Sequence, residues 1–180
     1  MKLGIDLQHN GKPDRLDLGG KHHGYHEYEW IAPFGFGLLM QSITHGHRTF
    51  INGMGSYSDR AKRFNTFSCN LVVLCHANAG GGSNGRIFLH PATSKLNVRR
   101  ANRACEYLDS VLPFKTVVKT AQGPSLNVQK GYKAWTWCCE PFFFDNLGMV
   151  EDVIALRHNG YYGAQALGAL YADAIDLAYG

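Results

Sequence analysis

Three polar positions stand out against the residues around them. His9 follows the apolar-rich run Lys2 to Leu7, His76 follows Leu71-Val-Val-Leu-Cys75, and Glu140 follows Ala134 to Cys139. Each run reads as a β-strand, so each polar residue falls at a strand's carboxyl end, where parallel-rich α/β sheets bind their ligands. Between the first two lies an acidic pair, Glu27 and Glu29. Two imidazoles and one carboxylate form a donor set for catalytic zinc, which takes three protein ligands and keeps a fourth position for water. A further carboxylate outside that set can serve as the base. Either glutamate of the pair can complete the set, since residues two apart share one face of a strand. Glu140 is the most telling acid: it is embedded in Trp137-Cys-Cys-Glu-Pro-Phe-Phe-Phe144, where an ionised carboxylate is costly unless paired or bound. The ordinary alternatives are hydrogen-bonded structural histidines and a buried acid paired with a basic residue.

The elements that must position these groups alternate between strand and helix, the pattern of a layered α/β domain. A strand over Lys2 to Leu7 leads into a polar loop, Gln8 to Gly24. A helix is expected over Tyr28 to Thr44, weakened in its first half by Pro33, Gly35 and Gly37. Arg48 to Asn52 reads as a strand, and Ser58 to Ser68 as a helix capped by Ser58. Leu71 to Cys75 is uniformly apolar, as in a strand covered on both faces. Beyond it come the glycine-rich loop Gly80-Gly-Gly82 and a strand over Gly85 to Leu89. Ser94 opens a helix with Ala101, Cys105, Leu108 and Leu112 on one face, ended by Pro113. Strands over Phe114 to Lys119 and Ala134 to Cys139 follow, then a helix over Gly163 to Tyr179 with Leu167, Leu170, Ala174 and Leu177 on one stripe. The expected architecture is a single three-layer α/β/α domain, residues 1–180, with a mixed, mostly parallel sheet of about six strands and the C-terminal helix packed on it.

Composition narrows the function classes. The chain has 180 residues, with 45% hydrophobic and 18% charged, ordinary globular usage for one domain. Its apolar runs are strand-sized, far below the roughly 20 residues that span a bilayer. Met1-Lys-Leu-Gly-Ile-Asp6 reaches an acid before any signal-like stretch develops, so the expectation is synthesis and storage in a cytoplasm without stable membrane association. Five cysteines, Cys69, Cys75, Cys105, Cys138 and Cys139, read as small core residues, not as a disulfide framework. A net charge of +4 suits an anionic partner. No phosphate-binding GxxxxGK[ST] loop and no aromatic-basic platform for nucleic acid is present.

The ordered set Ile5-Asp-Leu-Gln-His9-Asn-Gly11, Gly24-Tyr-His-Glu27, Arg60-Ala-Lys-Arg-Phe-Asn65, Leu74-Cys-His76-Ala-Asn78-Ala79 and Glu140-Pro-Phe-Phe143-Phe-Asp-Asn146 resembles the zinc-dependent N-acetylmuramoyl-L-alanine amidases of the amidase-3 family, found among bacterial autolysins and phage endolysins. The resemblance runs through most of the chain in the family's order. It implies one catalytic Zn²⁺ held by His9, Glu27 and His76, with Glu140 as general base and then proton donor, Asn78 as a substrate contact, and Phe143 and Asn146 as supports of the Glu140 turn. It favours Glu27 over Glu29 through the spacing from Gly24. The implied substrate is bacterial peptidoglycan, and the size resembles a phage endolysin, stored in the host cytoplasm until released to the wall and expected to act as a monomer without a separate wall-binding domain. The chain departs from the family in carrying Gln8 and Asn10 where glycines flank the first histidine, and Cys75 near the usual serine. His22, His23 and His26 crowd the same loop and read as solvated loop histidines, with a second metal site or a structural contact as the alternatives.

Three other readings stand beside this one. A related zinc peptidase would use the same ligands on the stem peptides. A wall-binding module could keep the fold without catalysis, and Cys139, with the histidines, could serve a cysteine hydrolase.

Overall fold

Strand β5 (Leu71–Cys75) is buried at all five positions, and burying one such aliphatic side chain contributes roughly 1.5–3 kcal/mol. Around it the computed structural model, which describes residues 1–9, 18–79, 86–90, 94–120 and 129–180, builds a six-stranded sheet. Its other strands are β1 (Lys2–Leu7), β4 (Arg48–Asn52), β6 (Arg86–His90), β7 (Thr116–Thr120) and β8 (Trp135–Glu140), in the order β4-β1-β5-β8-β6-β7. Strands β4, β1, β5 and β8 run parallel; β6 meets β8 antiparallel and pairs in parallel with β7. The sheet is therefore mixed and mostly parallel, as expected, and His9, His76 and Glu140 belong to its parallel block or the segments leaving it.

Alternation divides the sheet into two faces. Leu3, Ile5, Leu7, Val73, Cys75, Trp137 and Cys139 pack on helices α1 (Glu27–Thr44), α3 (Lys95–Val111) and the C-terminal helix Gly163–Tyr179. Val72, Leu74 and Cys138 face Phe64 of helix α2 (Tyr57–Phe67). The result is three layers. Buried polar ties fix the helices to the strands: Trp137 Nε1 donates to Asn97 Oδ1 of α3 at 2.7 Å. Asn65 at the end of α2 donates to the Gly131 carbonyl at 2.7 Å and accepts from Lys133 N–H at 2.8 Å, anchoring the entry to β8.

Helix α1 is continuous from Glu27, although Pro33 lies inside it. A proline there costs on the order of 3 kcal/mol, offset by the burial of Trp30, Ile31, Phe34 and Leu38. Its glycines are points of close approach. A Cβ on Gly37 would stand 2.0 Å from the Gln165 carbonyl oxygen, and one on Gly168 would stand 1.9 Å from that of Phe34. The two helices thus touch backbone to backbone, which only glycine permits. Helix α2 is capped by Ser56, whose side chain accepts from Asp59 N–H, two residues earlier than the expected Ser58. In the C-terminal helix Leu167, Leu170 and Ala174 are buried, whereas Leu177 is exposed, so the apolar stripe ends before the helix does.

Two hairpins and one helix lie where the sequence reading placed no element. Lys21–His22 pairs with Tyr25–His26 and Arg157–His158 with Tyr161–Tyr162. Their turns, His23-Gly24 and Asn159-Gly160, have positive φ at both residues, the condition for a type I′ turn that matches strand twist. Helix Leu147–Ala155 is capped by the Asn146 side chain, which accepts from Met149 N–H at 3.2 Å. The loop Gly80-Gly-Gly82 and the turn residues Asn10 and Gly11 lie outside the described residues. No helix among the described residues is long and apolar enough to cross a membrane.

Gly168→Ala is expected to destabilise by about 3 kcal/mol or more through forced separation of the two helices. Gly148→Ala, whose Cβ would stand 3.5 Å from Asn146 Oδ1, should change stability by no more than about 0.5–1 kcal/mol. Urea unfolding of the pair measures the contrast.

Candidate metal centre

His9, Glu27 and His76 reach one point from three segments. His9 stands just past the end of β1 with φ of 58°, a left-handed conformation that turns its ring across the strand ends. His76 continues the ladder beyond β5, its N–H donating to the Cys139 carbonyl at 3.0 Å. Glu27 is not a strand residue: it opens helix α1, delivered there by the hairpin Lys21–His26, with its N–H on the Gly20 carbonyl at 2.9 Å. Gly19, at φ of 71°, packs beneath it; a Cβ there would stand 2.7 Å from Glu27 Oε2.

The three residues offer donor atoms that lie within 4.8 Å of one another. His9 Nε2 is 3.3 Å from Glu27 Oε2, and His76 Nδ1 is 3.3 Å from Glu27 Oε1. Two ligands each ~2.0–2.1 Å from a tetrahedral ion lie about 3.3 Å apart, so both spacings leave room for a shared metal. The two imidazoles meet edge to face, with ring centroids 5.4 Å apart. Their electrostatics suit a cation. Burial works to raise the Glu27 pKa, but the hydrogen bond from His76, the charges of His9 and His76, and the Ala77 N–H at 3.0 Å together hold it below the usual glutamate value. Burial pushes the His76 pKa down more strongly than Glu27 pulls it up. The centre is thus an ionised carboxylate beside a neutral imidazole, the protonation states that bind metal. Two nitrogens and one oxygen fit zinc among the common divalent ions.

Glu29 is accounted for differently. Its carboxylate accepts from His26 N–H at 2.5 Å, closing the first turn of α1. The three loop histidines also have structural surroundings: His22 meets the Phe144 ring edge-on at 5.0 Å, His23 contacts the Asp145 carbonyl at 3.0 Å, and His26 is the N-cap residue of α1.

Glu140 ends β8 and is half-buried. Cys75 pairs with Cys139, so one step on, His76 and Glu140 are neighbours on adjacent strands. Alternation from Leu74 and Cys138 puts both on the α2 face. Burial raises the Cys138 pKa most, and the negative charges of Glu140, Glu27 and Asp6 raise it further. Asn78 is half-buried and extends the same edge: its N–H donates to the Phe142 carbonyl at 3.0 Å and its carbonyl accepts from Phe144 N–H at 2.9 Å. Phe143 is buried, and Asn146 caps the next helix. Cys139 is fully buried, with its pKa pushed well above the ordinary thiol value by desolvation and neighbouring groups. A protonated, inaccessible thiol is no nucleophile, which removes the cysteine-hydrolase reading.

A second histidine–carboxylate cluster shows the contrast. His45 Nε2 and His158 Nε2 lie 2.7 and 2.6 Å from the two oxygens of Asp173, and Gln41 Nε2 donates to the same carboxylate at 2.7 Å. These are hydrogen-bond lengths, too short for ligands sharing a metal. The cluster joins the end of α1 and the second hairpin to the C-terminal helix. Burial would raise the Asp173 pKa, but His45, Gln41 and His158 outweigh it and hold it below the usual value.

No protein-family profile matches the sequence, and no curated protein matches it significantly. Solved structures do match. The chain superimposes on Cwp6 from Clostridium difficile with a TM-score of 0.78 at 16% identity, covering 97% of this chain and 29% of that one, so it spans under a third of that protein's chain. The N-acetylmuramoyl-L-alanine amidase from Clostridium difficile 630 matches with a TM-score of 0.77 at 16% identity over 99% of this chain and 94% of that one. Amidase AmiC2 of Nostoc punctiforme gives 0.72 at 16% identity over 96% and 94%. The chain has the fold of these amidases.

Zinc titration by calorimetry should give one ion per chain. His9→Ala, Glu27→Ala and His76→Ala should each weaken binding by more than about 100-fold, while Glu29→Gln keeps it and costs about 1 kcal/mol of helix capping; full affinity in Glu27→Ala would remove it from the ligand set. Asp173→Ala should lower the melting temperature by about 3–6 °C at pH 7. Because the folded Asp173 pKa is depressed, its stabilisation is complete above the unfolded value of about 3.9 and is lost as pH falls through the folded value. The gap between wild type and variant should therefore narrow progressively in melts taken below about pH 4.

Proposed function

We propose that this chain is a zinc-dependent N-acetylmuramoyl-L-alanine amidase that hydrolyses the amide bond between N-acetylmuramic acid and L-alanine in bacterial peptidoglycan. The observation that carries the reading is the pair of 3.3 Å spacings between Glu27 and the two histidines, set at strand ends with Glu140 alongside. The shared fold and the ordered sequence motifs supply the scissile bond, which ligand geometry alone does not specify.

His9, Glu27 and His76 would hold the ion. When bound there, zinc supplies Lewis acidity, lowering the pKa of water toward about 7 and polarising the amide carbonyl. The chain's own groups do the rest. Glu27 neutralises charge at the centre, and the Ala77 N–H donating to its Oε1 at 3.0 Å holds the carboxylate beside His76. Glu140 takes the proton of the attacking water and passes it to the departing nitrogen of L-alanine, a shuttle that needs one carboxylate outside the ligand set. Asn78, on the rim formed by the β5 and β8 extensions, is assigned to contact the substrate. The proposal extends to a phage endolysin role, with the protein held in the host cytoplasm until release to the wall; this part rests on the sequence resemblance.

Mass analysis of digested peptidoglycan is the decisive measurement. Free muramic-acid lactyl groups together with new N-terminal alanines are expected, and new amino termini elsewhere in the stem peptide would replace this reading with a peptidase. Glu140→Ala should keep zinc and lose about 10²–10⁴-fold in rate. A variant with normal turnover would exclude Glu140 as the base.

A further inference from the structure

We infer that Arg60 is a positioning residue for the metal centre, acting through Gln8 on the orientation of His9. The inference rests on reading His9, Glu27 and His76 as a metal site, and it does not depend on which bond is cut.

Arg60 projects from α2 beneath the end of β1, only 4% exposed, toward Asp6 and Gln8, which are both fully buried. Its Nε lies 3.2 Å from Asp6 Oδ1, and its Nη2 donates to Gln8 Oε1 at 2.9 Å. Nη1 reaches the Leu7 and Gly53 carbonyls at 3.5 and 3.4 Å. The guanidinium lies over the Tyr57 ring, 4.7 Å from its centroid. Asp6 in turn accepts from the Tyr132 hydroxyl through its other oxygen.

A buried arginine–aspartate pair seldom stabilises a fold more than apolar residues of the same size would. What distinguishes this one is the destination of its donors. Two go to Leu7 and Gln8, the residues immediately before His9. Gln8 is held from its backbone as well, its N–H donating to the Cys75 carbonyl at 3.3 Å. The chain therefore leaves β1 in a direction fixed by both β5 and α2, and the next residue is His9 with φ of 58°. A non-glycine residue in that region costs on the order of 1 kcal/mol and persists where its surroundings over-determine it. The amidase-3 pattern has glycine at the position of Gln8; here a side chain occupies it and hands the turn to Arg60.

Two variants test this. Arg60→Lys keeps the charge and loses the planar fork, and Gln8→Leu keeps the Asp6–Arg60 pair and cuts the link to residue 8. Co²⁺ affinity is read from the visible absorption of the tetrahedral site, the His9 imidazole by NMR of the metal-free protein, and folding by metal-free melting. Expected are Co²⁺ affinity about 10–100-fold weaker and shifted or broadened His9 resonances, with Gln8→Leu still melting cooperatively. Affinity within about twofold of wild type and unchanged His9 signals in Gln8→Leu would overturn the inference, as would a lowered melting temperature in either variant with His9 signals and affinity intact. If Arg60→Lys does not fold, Gln8→Leu decides alone. Failure of the wild type to bind Co²⁺ would reject the metal reading instead, and the metal-free His9 resonances would still report on positioning.

Discussion

Glu27 is a carboxylate almost removed from water at the head of helix α1, and much of the surrounding architecture can be understood as compensation for it. A buried charge without partners costs several kcal/mol; this one has two imidazoles, a backbone N–H and the positive end of a helix. Those partners come from β1, β5 and their extensions, so the carboxylate can be buried only when the parallel block is correctly paired. Gly19 exists to let it in, and the first hairpin exists to bring α1 to the right place.

The two faces of the sheet divide the labour. One face is a continuous apolar layer where α1 and the C-terminal helix meet at Gly37 and Gly168, setting where the head of α1 lies. The other carries polar machinery: Asp6, Gln8 and Arg60 below, His76 and Glu140 at the rim. Period-two alternation links them, so shifting β8 by one residue would turn Glu140 away from His76 and bring Cys139 toward it.

Much of this was legible in the residues. Leu71 to Cys75 announced a central strand, and two histidines at strand ends with an acidic pair between them pointed to the group that the fold brings together. The alternation of elements announced three layers. Other features were harder to read. Glu27 and Glu29 looked equivalent because a strand was assumed there; in a helix the two diverge, one turning to the sheet and the other back to cap its own first turn. Pro33, Gly35 and Gly37 looked like helix breakers because propensity carries no knowledge of the C-terminal helix that presses on Gly37 or of Leu7, which presses on Gly35. Asn159-Gly160 is a readable hairpin signal, yet its strands are two residues long and carry no alternation. Arg60 gave no sign of burial, since Asp6, Leu7 and Gln8 lie 52 and more residues away in sequence.

The order of the strands has a kinetic consequence. Every pairing in the parallel block joins segments far apart in the chain, with residue 3 beside 71 and residue 71 beside 135. Such contacts are slow to form, because loop closure must precede any reward from pairing. His9 and His76 meet only after β1 and β5 have zipped together, and Glu27 joins only when α1 has docked. An ion arriving at this centre finds it late in folding. Its binding energy would then act mainly on the rate of unfolding, as a lock closed on a finished structure and not as a template for making one.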